Sequence, residues 1–319
     1  MKHIILAADD NYAIPCFVTI ASILSNNNPY DYTIHILTEG FNEHNMEVLK
    51  QLKAKVKGSA IELTKIDSSI LKDAIVSERF PISNFFRLLV PELFSFDKAL
   101  YLDCDIIVTA DISALWDNDM TNTACCMVED QACEDITLHN RIRVFTPYYN
   151  AGVLFMNLDY WRENRISKLL LEYMRDYPER CLYPDQDAIN AKLAENIKPL
   201  DYCYNVQERW YEPREFWLMH YNKWDMIEKS KANPAIIHYT GGNKPWSLAC
   251  THPLADLFEK YKSLIIKEKS KTNLAFEKKQ EKCHRAEQKK KHKYVRRANL
   301  AFILLGIETI IFVLYLILY

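Results

Sequence analysis

The chain has no CxxC pair among its nine cysteines, no internal repeat, no Gly/Ser-rich linker and no amino-terminal apolar run long enough for a signal peptide. Each absence excludes something. Without paired cysteine spacing there is no zinc framework and no disulfide scaffold. An odd number of thiols, with Cys125-Cys126 in an apolar stretch, suits buried cysteines in a reducing compartment. Met1-Lys2-His3 is followed by only Ile4-Ile5-Leu6-Ala7-Ala8 before Asp9-Asp10, which reads as a first strand rather than a leader, so export by the usual route is not expected. With no linker, 319 residues form one large domain or two small ones, and 49% hydrophobic residues suffice for a packed core.

The formal net charge of -2 hides an asymmetry. Residues 262–297 carry fourteen Lys and Arg against four Glu, and the remainder holds twenty-six basic against thirty-eight acidic residues. An acidic body excludes nucleic acid as the default partner and suits a catalytic domain with an electrostatic handle. Residues 299–319 form an apolar run interrupted by Gly306, Glu308 and Thr309. As a helix the run would span about 31 Å, enough for a hydrocarbon core. Basic residues on its amino side place that side in the cytoplasm and would attract anionic lipid. Glu308 opposes insertion by a few kcal/mol, which leaves a helix lying in the interface as the other form. The expected organisation is a catalytic domain over 1–261, a basic helical juxtamembrane segment over 262–298, and a transmembrane or interfacial anchor over 299–319. The protein is then tail-anchored on the cytoplasmic face of a membrane.

Within the first hundred residues strand-like and helix-like patterns alternate. Residues 4–8, 33–37 and 61–66 read as strands. Ile14, Phe17, Ala21 and Leu24, then Met46, Leu49 and Leu52, recur at helical spacing. This order predicts an α/β fold with a mostly parallel sheet flanked by helices. Pro81 opens an expected helix that carries Arg87 and ends near Pro91. Residues 124–128 and 153–157 read as strands and 161–177 as one helix. From about 180 to 250 the chain is rich in Tyr, Trp and Pro with little periodicity, which reads as loops and short elements over a cleft. Aromatic side chains there suit sugar rings or, more simply, a core.

The chemistry centres on Tyr101-Leu102-Asp103-Cys104-Asp105, two carboxylates one residue apart at the mouth of an apolar strand. Such a pair repels unless a cation sits between, and hard oxygen ligands suit magnesium or manganese. A cation so held binds diphosphates. Asp9-Asp10 ends another strand on the same edge, where ligands of parallel sheets bind.

Four further segments accompany the pair: Ala7-Ala8-Asp9-Asp10-Asn11-Tyr12, Asn150-Ala151-Gly152, Asp185-Gln186-Asp187, and His238-Tyr239-Thr240-Gly241-Gly242-Asn243-Lys244-Pro245-Trp246. Together they resemble glycosyltransferase family 8, which includes bacterial lipopolysaccharide galactosyl- and glucosyltransferases and glycogenin. The resemblance covers roughly residues 1–250 and implies a nucleotide-sugar-binding domain of the GT-A type. It also implies that Asp103, Asp105 and His238 hold Mn2+ (or Mg2+), with Asp103 also facing the UDP-sugar donor. Gly241 and Gly242 would let backbone N–H groups approach a phosphate, and Lys244 would supply a charge to the diphosphate. Asp9 would accept from the uracil imide, Asn11 would reach the ribose, Ala7 and Ala8 would keep the base pocket shallow, and Tyr12 could stack on the base. Asp9 and Asp10 are equally suited to a helix N-terminus, and one can cap while the other binds. Arg87 matches an arginine near the donor sugar or phosphate, Asn150 and Asp185 would grip donor hydroxyls, and Gln186 matches the residue under the anomeric carbon. The family's acidic acceptor contact falls on Glu129 or Asp130.

The implied reaction moves glucose or galactose from a UDP-hexose to a hydroxyl of a lipid- or protein-linked glycan precursor, with retention at the anomeric carbon. Two other readings use the same acids. One is a metal-dependent nucleotidyltransferase or pyrophosphohydrolase; the other is an inactive, membrane-tethered sugar-nucleotide-binding or scaffold protein.

Overall fold

In the computed structural model the described residues are 1–266 without 57, 59, 72–79, 146, 218–220 and 248. Met1–Pro245 and Thr251–Lys267 group in one compact unit, which the account below concerns. The strands are β1 (Lys2–Ala7), β2 (Tyr32–Thr38), β3 (Ala60–Lys65), β4 (Lys98–Leu102), β5 (Ile106–Val108), β6 (Cys125–Glu129), β7 (Tyr149–Asn157), β8 (Ile197–Pro199), β9 (Val206–Gln207) and β10 (Ile236–His238). The helices are α1 (Ala13–Asn26), α2 (Glu43–Lys55), α3 (Val90–Leu93), α4 (Ile136–Ile142), α5 (Leu158–Glu163), α6 (Ile166–Asp176), α7 (Pro184–Leu193), α8 (Trp224–Ala232) and α9 (Ala255–Ile265).

Seven strands form one sheet in the order β3-β2-β1-β4-β7-β6-β8. All its pairings are parallel except those of β7, which runs against β4 and β6. The reversal has a use: the amino end of β7 reaches the edge where β1, β4 and β6 end, so Asn150–Gly152 lie beside the ends of the acidic strands. β5, β10 and β9 make a second, three-stranded sheet. In it His238 pairs with Ile106 and with Gln207.

β2 is buried along its whole length, as a strand covered on both faces should be. α1 is buried from Ala13 to Ile23, polar residues included. Thr19 Oγ1 donates to the carbonyls of Cys104 (3.0 Å) and Ile106 (2.7 Å), and Ser22 Oγ accepts from Val108 N at 2.9 Å. These hydroxyls satisfy backbone groups where the chain leaves β4 for β5, which no sheet partner would otherwise do.

Two expectations are corrected. The segment after Pro81 is a 3-10 run, Ile82–Leu89, followed by α3. Pro91 lies in the first turn of α3, where its missing N–H costs nothing, rather than ending a helix. The single helix over 161–177 is two: α5 is capped by Asn157, and Arg165 at φ 51° breaks the axis before α6. At the end of the described chain α9 packs on α1 and α2. Asn26 Nδ2 donates to Tyr261 Oη at 2.8 Å and Lys55 Nζ to Leu264 O at 2.6 Å. The rest of the expected basic segment, from 267, and the apolar run 299–319 lie outside the described residues. Among the described residues no helix is long and apolar enough to cross a membrane. The aromatic-rich stretch supplies core: Trp210, Trp217 and Tyr202 are buried in a cluster with Tyr148 and Val206.

Candidate active site

The two carboxylates are fixed by two sheets at once. Asp103 N donates to Gly152 O (2.9 Å) in the large sheet, and Asp105 O accepts from Tyr239 N (3.0 Å) in the small one. Cys104 points the other way, its Sγ 3.2 Å from Ala7 O. The pairing of β10 with β5 then brings His238 to the acids. Its Nε2 lies 3.1 Å from Asp105 Oδ1 and 3.7 Å from Asp103 Oδ2. Ligand atoms of all three residues lie within 4.8 Å of one another. Two carboxylates and one imidazole are a donor set suited to manganese or a similar divalent ion. A Cβ at Gly152 would collide with the imidazole and crowd Asp103, so only glycine admits this cluster. The residues present therefore fit the metal that the sequence implies.

Two cations flank the cluster. Arg87 is buried, and its guanidinium lies 4.3 Å from the centre of the Tyr101 ring. It donates to Asp103 Oδ1 (2.7 Å) and Ala151 O (2.7 Å), and pairs with Asp185 Oδ2 (3.0 Å). Burial pushes the Asp185 carboxyl up, and Arg87 opposes this. Lys244 Nζ pairs with Asp105 Oδ2 and lies 2.5 Å from Tyr239 O. Burial works to raise the Asp105 carboxyl, but Lys244 and His238 overcome it and hold the group below the usual carboxylate range.

A chain of amides runs from the imidazole to the far side of the cleft. His238 Nδ1 lies 3.0 Å from Asn205 Oδ1, Asn205 Nδ2 donates to Asn150 Oδ1 at 2.9 Å, and Asn150 Nδ2 donates to Asp130 Oδ2 at 2.9 Å. Gln186 Nε2 donates to the same Asp130 oxygen (3.2 Å) and to Tyr148 Oη (3.1 Å), while its Oε1 accepts from Ala151 N (2.9 Å). Asn150 also accepts from Gly152 N at 3.0 Å. It is 6% exposed and its amide is engaged at both ends, so it reaches a donor hydroxyl only by giving up one of these bonds. Burial raises the Asp130 carboxyl against the bonds from Asn150, Ala132 and Gln186.

The structure separates the two acceptor candidates. Asp130 joins Gln186. Glu129 turns away, its Oε2 accepting from Tyr202 Oη and Lys223 Nζ, both at 2.7 Å. At the end of β1, Ala7 and Ala8 are buried. Asp9 accepts from Tyr12 N (2.9 Å) and Asn11 Nδ2 (3.3 Å). Neither Asp caps α1 as its N-cap residue, which is Tyr12. Asp10 instead accepts from Asn42 N (2.8 Å) and Asn45 Nδ2 (2.8 Å) at the start of α2. Gly241 and Lys244 lie in the loop after β10, where a Cβ on Gly241 would collide with Glu208.

Sequence reasoning passed over Asn205, Tyr148 and the role of Asp187. Asp187 is fully buried and accepts from Arg141 (2.6 Å), Tyr148 Oη (2.7 Å) and Tyr183 N (2.8 Å), which anchors the start of α7 and with it Gln186. Two acids flanking a glutamine at a helix start were the available signal for Asp187. Asn205 had none.

Comparison with known proteins bears on the same segments. The family model described as glycosyl transferase family 8 matches residues 3–250. The lipopolysaccharide 1,2-glucosyltransferase of Escherichia coli is 30% identical over 261 residues, covering 78% of this chain and 74% of that one. The lipopolysaccharide 1,3-galactosyltransferase of Salmonella typhimurium is 29% identical over 272 residues, covering 82% and 77%. Among solved structures, the galactosyltransferase LgtC in complex with donor and acceptor sugar analogs superposes with a TM-score of 0.74 over 86% of this chain and 100% of that chain. At 24% identity that likeness speaks for the fold alone. Because the match runs from the first strand to the loop beyond β10, through every segment assembled above, the chain belongs to glycosyl transferase family 8 and is a glycosyltransferase.

Proposed function

We propose that the protein transfers glucose or galactose from a UDP-hexose to a hydroxyl of a surface-glycan precursor, with retention at the anomeric carbon. The observation that carries this reading is the cluster of Asp103, Asp105 and His238, flanked by Arg87 and Lys244 and tied through Asn205, Asn150 and Asp130 to Gln186. The two lipopolysaccharide hexosyltransferases among the relatives support a hexose donor and a glycan acceptor.

Asp103, Asp105 and His238 would hold the metal, Mn2+ or Mg2+. When bound, it supplies positive charge to the donor diphosphate. This chain's residues do the rest. Asp9, with Asn11 beside it, presents a carboxylate at the end of β1 to the uracil imide. Lys244 stabilises the negative charge that grows on UDP as the anomeric C–O bond breaks, provided it leaves Asp105 for the diphosphate. Arg87 fixes Asp103 and Asp185 around the sugar.

The Gln186 amide is a poor nucleophile, so a covalent double displacement is not supported at that position. The acceptor oxygen attacks the face from which UDP departs, and its proton passes to a departing phosphate oxygen. Asp130, beside Gln186, meets the acceptor. The test is the product of a UDP-α-hexose donor, with its anomeric configuration read by NMR. An α-linkage is expected; a β-linkage would sink the retaining mechanism.

Residues 267–319 are proposed to tether the enzyme to the cytoplasmic face of a membrane, on the strength of their sequence. The chain ending at 266 should then appear in the soluble fraction and the full chain with membranes. Equal partition of the two would remove the tether.

A further inference from the structure

The loop Gly241-Gly242-Asn243-Lys244 is filled by a carboxylate from the same chain. Glu208 follows β9 and is half-buried. Its Oε2 lies against Gly241, and Lys244 above all, with the Gly241 N–H and the Asn243 side chain, favours its charged form. A Cβ on Gly241 would strike Glu208 Oε2, so the glycine here makes room for the Glu208 carboxylate itself. These donors are the ones an anionic ligand of this loop would use. A carboxylate offers the same two-oxygen acceptor edge as a phosphate, and charge-assisted bonds to it are among the stronger ones. Another acid, Glu212, lies close enough to repel Glu208. The loop that carries Lys244 therefore offsets that repulsion.

We propose that Glu208 is a resident stand-in for the donor diphosphate: it keeps the loop formed while no donor is bound and must be displaced when UDP-sugar enters. The inference rests on the diphosphate reading of this loop. Its consequence is specific. Glu208 competes with the phosphates, so its charge weakens donor and UDP binding and leaves binding of the nucleoside unchanged. A purely structural Glu208 would do the opposite, since its loss would loosen the loop and weaken binding.

The experiment is calorimetric titration of UDP, and separately of uridine, into the full chain with Mn2+, for wild type, Glu208→Gln and Glu208→Ala. Displacing one partly exposed charge-assisted bond should be worth on the order of fivefold in affinity. UDP should bind both variants about that much more tightly, with uridine unchanged and the donor KM lowered. If wild type binds UDP and both variants bind it equally or more weakly, the stand-in is overturned while the diphosphate reading stands. If wild type binds uridine but gains nothing from the diphosphate, the diphosphate reading fails and the proposal with it. The Ala variant guards against a Gln side chain that keeps its place on the Gly241 N–H.

Discussion

His238 Nδ1 faces Asn205 Oδ1 at 3.0 Å, and Asn205 turns its own amide nitrogen to Asn150 Oδ1 at 2.9 Å. The second bond fixes which end of the Asn205 amide meets the imidazole. His238 Nδ1 must then carry a proton, which leaves Nε2, facing Asp103 and Asp105, as the nitrogen a metal ion would use. Asn205→Ala frees the ring to turn. Partners of this kind are worth about 10–100-fold in metal affinity. Titrating Mn2+ into wild type and the variant should show that loss, and equal affinities would mean that the amide does not orient the ligand.

Arg87 pairs with two acids, the buried Asp185 and the partly exposed Asp103, which also accepts from Tyr101 Oη at 3.2 Å. Arg87→Met leaves Asp103 and Asp185 without their cation, a loss of about 3–5 kcal/mol by the usual cost of breaking a buried pair. Thermal denaturation should show it. Saturating Mn2+ should restore part of the loss, because the ion neutralises Asp103 but not Asp185. A variant with wild-type stability in the absence of metal would show that the two acids tolerate each other without Arg87.

Asp130 and Gln186 should behave as one unit. Asp130→Asn sets a third amide against two amide donors, from Asn150 and Gln186, that both need an acceptor. It should cost about 1–3 kcal/mol of stability and most of the turnover. Gln186→Ala should cost turnover and, by taking the acceptor from the buried Ala151 N–H, about 1–3 kcal/mol of stability. The double variant should lose much less than the sum of the two in kcat; strict additivity would separate the residues functionally.

The ends of β1 and β4 were legible because a strand that ends in acid carries its signal within five residues. The mostly parallel order followed from the alternation of periods. What was not legible depends on distant pairing. Asn205 meets His238 only because β9 lies beside β10, a contact that leaves no local pattern. Arg87 was singled out by resemblance, but its pairing with two carboxylates was not, because they lie sixteen and ninety-eight residues away. The aromatic stretch read most simply as core, and Trp210 and Trp217 are buried there, but its lack of periodicity did not place its short elements. The break between α5 and α6 sits at Arg165, a residue type that gives no warning of a left-handed backbone.

His252 gives the fold a pH dependence. It is buried against the Tyr211 and Tyr239 rings, and its Nδ1 accepts from Leu254 N at 3.1 Å, which requires the neutral ring. Burial lowers it from 6.5 to about 4. The unfolded chain therefore takes up the proton first, so this contribution is complete above pH 6.5 and is lost as pH falls toward 4. Its size is about 2 kcal/mol. Urea denaturation at pH 7 and pH 5 should show wild type losing more stability than His252→Gln; parallel losses would place the dependence elsewhere.

On the function proposed above, a metal held by Asp103, Asp105 and His238 carries a UDP-hexose. The most direct measurement is UDP release from a panel of UDP-sugars by the full chain, with Mn2+ and with chelator, for wild type and Asp105→Asn. Release from one UDP-hexose that needs Mn2+ and is lost in the variant is expected. Release that persists in chelator, or that Asp105→Asn leaves intact, would contradict it.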